Sequence, residues 1–134
     1  MVKKEFSQDF ELWVANYYKS KVDSCRDRGI AFNLNLMSVR NLLSSKVCGY
    51  TGMQMTVPKI GAKANTQTDV TIDRIDNTRP YEKGNVIAVS NVANNFKAIF
   101  ENPQYKLDML TAQKALVKMQ KKIKQTKEKQ NAQA

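Results

Sequence analysis

The chain contains no histidine, only two cysteines, five glycines and three prolines. Without an imidazole there is no Ser–His or Cys–His nucleophile pair, no imidazole acid or base, and no histidine-ligated zinc. Cys25 and Cys48 alone cannot build a four-cysteine zinc site. They are expected as free, buried thiols in a reducing compartment. No apolar run approaches the length of about 18 residues that a membrane-spanning helix needs. The opening residues, with Lys3, Lys4 and Glu5, lack an apolar signal core. A cytoplasmic protein with no membrane partner is therefore the expectation. Sparse glycine and proline leave no linker-like stretch, and there is no internal repeat.

What is present fits one small globular domain. The chain has 134 residues, of which 42% are hydrophobic, enough for one modest core. Its 22 Lys+Arg outnumber 12 Asp+Glu, giving a formal charge of +10. Nucleic acid is the leading partner for such a charge, with acidic lipid or an acidic protein as rivals. The excess is uneven. Residues 1–103 hold 14 basic and 10 acidic side chains, whereas residues 104–134 hold eight lysines against Asp108 and Glu128. The reading is a single domain over 1–103 followed by a basic C-terminal helix over 104–134 with a frayed tail.

The spacing of Phe10, Trp13, Val14, Tyr17, Val22 and Cys25 predicts a helix over 8–28, capped by Ser7 or Asp9 and ended by Gly29. Asn35 caps a second helix over 36–45, which turns Leu36, Val39, Leu42 and Leu43 inward. Residues 48–57 read as a turn and a strand. Residues 59–68 are a polar loop. Val70, Ile72 and Arg74 belong to a strand, 77–84 is a second loop, and Val86, Ile87 and Val89 form another strand. Ser90 caps a helix over 91–100, and Asn102-Pro103 opens a long helix running to about 128. The fold class by element order is α+β, with a strand–loop–strand–helix unit flanked by helices.

Polar side chains cluster at the turning points of that unit. Asp73 and Asp76 end its first strand, Asn85 opens the second, and Asn94, Asn95 and Lys97 lie on the helix. Carboxylate and carboxamide oxygens suit Mg²⁺, which keeps several waters and binds substrate phosphate. Arg79 and Lys97 could then hold phosphate oxygens. The plainer reading has Asp73, Asp76 and Asn77 as turn formers and the helical asparagines as solvated.

The ordered set Cys48-Gly-Tyr50-Thr51-Gly52, Asp73-Arg74-Ile75-Asp76, Gly84-Asn85-Val86 and Asn94-Asn95-Phe96-Lys97 resembles the HNH endonuclease family. The resemblance covers about residues 32–100 and is nearest to a phage-type subset with an Asp-Arg-Ile-Asp motif. It implies a ββα-metal unit over about 48–100, preceded by a helical lead-in over 8–45. It further implies a divalent-metal-dependent nuclease acting on DNA. By position it makes Asp73 the metal-associated acid and Asn94 the second metal ligand. Asn85 becomes the loop-bracing asparagine, and Lys97 a residue near phosphate or structural. Arg74 falls where the family keeps its histidine base. A guanidinium stays protonated and cannot replace that base. Asp76 is the preferred substitute in the catalytic set, ahead of Tyr50 and Tyr81. Cys48 lacks a neighbouring cysteine, so the structural zinc of many relatives has no site. The rival readings are an inactive DNA-binding protein on the same scaffold, with Arg74 on phosphate, and a small basic phage effector that binds an acidic host protein.

In the last helix Met109, Ala112, Leu116, Met119 and Ile123 recur at intervals of three and four. The stripe is expected to pack back on the domain, with a dimer seam as the alternative. Lys114, Lys118, Lys121, Lys122 and Lys124 surround it and are expected to contact DNA phosphates. Each neutralised phosphate would add about 0.9 to the salt dependence of binding.

Overall fold

The first helix begins where a serine can satisfy its open end. The Ser7 hydroxyl accepts from the Phe10 N–H at 3.1 Å, and α1 runs Gln8–Asp27. Ser7, rather than Asp9, is the cap. Gly29 ends it at φ 68°, a left-handed conformation that glycine adopts without strain. These elements belong to a computed structural model that describes residues 6–59 and 66–132. Most of the expected polar loop over 59–68 lies outside the described residues.

Asn35 caps α2, Leu36–Leu43, by accepting from the Ser38 N–H at 2.8 Å. Strands β1, Val70–Arg74, and β2, Val86–Ser90, form an antiparallel pair with Ile72 opposite Ala88 and Asp73 opposite Ile87. Helix α3 follows directly over Asn91–Glu101, with the Ser90 hydroxyl accepting from the Ala93 N–H at 3.3 Å. A short 3₁₀ turn over Pro103–Tyr105 precedes α4, Met109–Ala132. The fold is mixed α+β, with four α-helices and a two-stranded sheet among the described residues.

Three expectations are corrected. Leu36, expected to turn inward on α2, is 47% exposed, because it is the first helical residue after the cap. Residues 48–57 form no strand; Val47 and Thr56 make only single bridges, to Gln54 and Asp69. The last helix does not start at Pro103. Asn102 caps only the 3₁₀ turn, Lys106 takes φ 50°, and Asp108 caps α4 by accepting from the Thr111 N–H at 2.7 Å. The helix then runs past the expected end near 128.

The chain divides into two compact units, Met1–Asn95 and Phe96–Ala134. In the first, strand alternation sorts the two faces of the sheet. Val70, Ile72 and Ala88 join Val14, Cys25, Leu34, Val39, Leu43 and Tyr81 in the main core. Val89, on the other face, packs with Cys48 and Ala93, and with the half-buried Ile87 and Met55. The Tyr17 hydroxyl covers the edge of β1, accepting from the Ile72 N–H at 3.0 Å and meeting Thr71 Oγ1 at 3.0 Å. Both cysteines are free and buried. Among the described residues no helix is long and apolar enough to cross a membrane.

In the second unit the Phe96 and Phe100 rings meet edge to face at 5.0 Å. Lys97 Nζ lies 2.6 Å from Glu101 Oε2. Met109, Leu116, Met119 and Ile123 are about half exposed. Of the expected stripe only Ala112 is buried.

Candidate functional site

Asp73 sits one residue before the end of β1, on the face opposite the main core, and is only 7% exposed. A buried carboxylate needs hydrogen-bond donors. One is the Tyr50 hydroxyl, which donates to Asp73 Oδ2 at 2.8 Å although Tyr50 itself is 43% exposed. The turn that carries Tyr50 is pinned from both sides. The Gly52 N–H donates to the Cys48 carbonyl at 2.9 Å, and the Gly49 N–H to the Ala88 carbonyl of β2 at 3.0 Å. Glycine at position 49 lets the turn approach this closely, because a Cβ there would collide with the Ile87 side chain and force it to shift. Tyr50 reaches Asp73 because its turn lies directly against the strand pair.

Cys48 anchors the same turn from beneath. Its Sγ accepts from the Ser90 N–H at 3.4 Å and lies 3.8 Å from the Ser90 hydroxyl. Burial pushes this thiol up. Hydrogen bonds from the Thr51 hydroxyl and from the backbone N–H groups of Ser90, Thr51 and Tyr50 outweigh it, lowering the thiol to about 6.

Asn85 braces the loop between the strands. Its Oδ1 accepts from the Asp76 N–H at 2.9 Å, and its Nδ2 donates to the carbonyls of Asp76 at 3.0 Å and Pro80 at 2.9 Å. The Ile75 N–H donates to the Asn85 carbonyl at 2.9 Å. With Asn85 only 3% exposed, one side chain satisfies three main-chain groups of the loop. Its side chain holds the shape of the loop.

The other candidates are placed as follows. Asp76 Oδ1 accepts from the Thr78 N–H at 3.0 Å and the Thr78 hydroxyl at 2.6 Å, so this carboxylate forms an Asx turn. Arg74 lies on the core face, its guanidinium 5.1 Å from the centre of the Tyr81 ring and donating to the Arg79 carbonyl at 3.1 Å. Arg79 pairs with Glu82 at 2.7 Å. Asn94 is half-buried in the first turn of α3, while Lys97 pairs with Glu101. Lys114, Lys118, Lys121, Lys122 and Lys124 all stand exposed along α4.

Among the described residues no three Cys, Asp or Glu side chains gather as a metal site. Asp73 and Asn94 offer oxygen donors of the type that Mg²⁺ accepts alongside water and phosphate.

The sequence reading overlooked Asp69. Its carboxylate is buried at 2% exposure, accepting from the Thr56 hydroxyl at 2.6 Å and the Thr66 N–H at 2.7 Å. The Asn91 N–H donates to its carbonyl at 2.9 Å. Asp69 thus ties the loops before β1 to the start of α3. Its place between a polar loop and a hydrophobic strand was the available signal.

No family model matches the sequence, and no solved structure matches it. Over 75 residues the chain is 36% identical to the uncharacterized 29.0 kDa protein in the dda-modA intergenic region of Enterobacteria phage T4. The matched stretch is 56% of this chain and 28% of that protein, so the chain spans under a third of its length.

Proposed function

We propose that the chain is an HNH-like, divalent-metal-dependent endonuclease that hydrolyses phosphodiesters in DNA. The observation that carries this reading is the buried Asp73 carboxylate, held by Tyr50 on a strand pair whose loop Asn85 braces. The β1–β2–α3 succession is the ββα unit of this proposal, and Asp73 and Asn94 are its metal ligands. When bound there, a divalent cation supplies transition-state charge stabilisation and lowers the pKa of a coordinated water. Asp73 and Asn94 provide oxygen ligands, Tyr50 orients the carboxylate, and Asn85 fixes the loop. The lysines of α4 neutralise backbone phosphates. The likeness to a phage protein is consistent with a phage-encoded nuclease.

A second reading is a DNA-binding protein on the same scaffold that does not cleave. It is favoured by the engagement of Asp76, the expected substitute for the imidazole, with Thr78 and by that of Arg74 with Tyr81. Nicking of supercoiled plasmid in Mg²⁺ or Mn²⁺ separates the two. The nuclease reading expects nicking that Asp73→Ala and Asn94→Ala abolish. Intact DNA binding with no nicking in either metal would leave only the second reading.

A further inference from the structure

We propose that Lys21 and Arg74, gathered on the ring of Tyr81, form a clamp for a backbone phosphate of DNA, separate from the metal site. Lys21 Nζ lies 5.1 Å from the centre of the Tyr81 ring, and Arg74 Cζ also lies 5.1 Å from it. One cation comes from α1 and the other from the end of β1. Cation–π attraction holds both at the ring. The two charges therefore stand within about 10 Å of each other, close to the screening length at roughly 0.1 M salt. Their repulsion is only partly screened, and an anion that meets both relieves it.

The ring is fixed before any ligand arrives. Tyr81 is buried, its N–H donates to the Ala31 carbonyl at 3.1 Å, and its carbonyl accepts from the Asn33 N–H at 2.7 Å. The Phe32 ring packs against it with centroids 5.4 Å apart. Lys21 Nζ also lies 5.8 Å from the Tyr17 ring, whose hydroxyl is tied to β1. Cations seated on a fixed platform have less freedom to lose on binding.

The charges choose the occupant. The neighbouring acids are engaged with other cations: Asp23 with Lys19 and Arg26, and Glu82 with Arg79. Among the described residues Lys21 makes no ion pair. A guanidinium presents a planar fork that matches phosphate, and an ammonium adds a point charge. Arg74 directly follows Asp73 and leaves β1 on the opposite face. The clamp thus lies across the strand from the proposed metal site, and its phosphate is a non-scissile one of the same DNA. This inference rests on the DNA-binding part of the proposed function and not on cleavage.

Fluorescence anisotropy of a short labelled duplex, titrated in EDTA at several KCl concentrations, tests it. Lys21→Gln and Arg74→Gln should each weaken binding and lower the salt slope by about 0.9, and the double variant by about twice that. Lys21→Arg, which keeps the charge, should keep the wild-type slope. Lys19→Gln removes the same charge from a lysine paired with Asp23 and should leave the slope unchanged. Thermal melts by circular dichroism restrict the comparison to folded chains. A double variant with the wild-type slope overturns the clamp, as does Lys19→Gln lowering the slope as much as Lys21→Gln. A wild type that binds no duplex overturns the clamp together with the DNA reading. Binding in EDTA with these slopes but no nicking in Mg²⁺ or Mn²⁺ upholds the clamp and removes only the nuclease.

Discussion

The Tyr50 hydroxyl donates to the Asp73 carboxylate at 2.8 Å, linking residues 23 positions apart. The donor stands half exposed on a turn and the acceptor is buried in a strand. A hydrogen bond to a charged group contributes about 1.5–3 kcal/mol. Tyr50→Phe should therefore weaken divalent-metal dependence or the nicking rate by about ten- to hundred-fold. The melting temperature should fall by several degrees as well, because the same bond holds a buried carboxylate in the folded chain. A metal titration of nicking checks this, and an unchanged midpoint and rate would remove Tyr50 from the site.

Asn85→Ala removes three side-chain hydrogen bonds at once, leaving the Asp76 N–H and the Asp76 and Pro80 carbonyls without this partner. Unsatisfied buried groups cost about 1–3 kcal/mol each, and partial rehydration of the loop limits the total to about 2–4 kcal/mol. Urea denaturation should show a loss of that size. A loss within about 0.5 kcal/mol, the range of ordinary surface substitutions, would contradict the bracing role.

Two glycines should respond differently to alanine. At Gly49 the new Cβ meets Ile87, and overpacking of this kind costs about 1–3 kcal/mol. Because the Gly49 turn carries Tyr50, nicking should fall as well. At Gly29 no atom lies within 4 Å of the added Cβ, and the penalty comes from φ 68° alone, about 1 kcal/mol. Thermal melts of the two variants beside a nicking assay make the comparison. Lost nicking in Gly29→Ala with full nicking in Gly49→Ala would reverse the assignment.

The secondary structure was largely legible because its signals are local. Ser7, Asn35 and Ser90 each sit three residues before the N–H they cap, and the strands show as β-branched runs between polar loops. Non-local features were not. Residues 48–57 carry the hydrophobicity of a strand, but Gly49 and Gly52 turn the chain there, and pairing is confined to single bridges. Asn102-Pro103 is a genuine start signal that opens only three residues, because Lys106 turns left-handed and Asp108 restarts the helix. At the candidate site, Asp73, Asn85 and Asn94 were singled out by their places at the strand ends and on the following helix, and the resemblance supplied their expected roles. The position of Tyr50 over Asp73 depends on Gly49 packing against β2, which no periodicity reports.

Cys48 couples this turn to pH. Its thiol is lowered from 9.0 to about 6 in the folded chain. The unfolded state thus binds more protons between those values, and stability rises with pH across that window. The contribution is complete above the unfolded value near 9.0 and is lost as pH falls through about 6. The stability gap between wild type and Cys48→Ala should widen toward alkaline pH by at most about 1.4 kcal/mol per pH unit. Denaturation at several pH values reads it, and a constant gap would show that Cys48 stays a thiol.

Binding of Mn²⁺ by isothermal titration, with wild type, Asp73→Ala and Asn94→Ala compared at equal folding, tests the metal site itself. The account expects one ion per wild-type chain, no saturable binding in Asp73→Ala, and weakened binding in Asn94→Ala. Absence of saturable binding in wild type with and without DNA, or binding unchanged in Asp73→Ala, would contradict it.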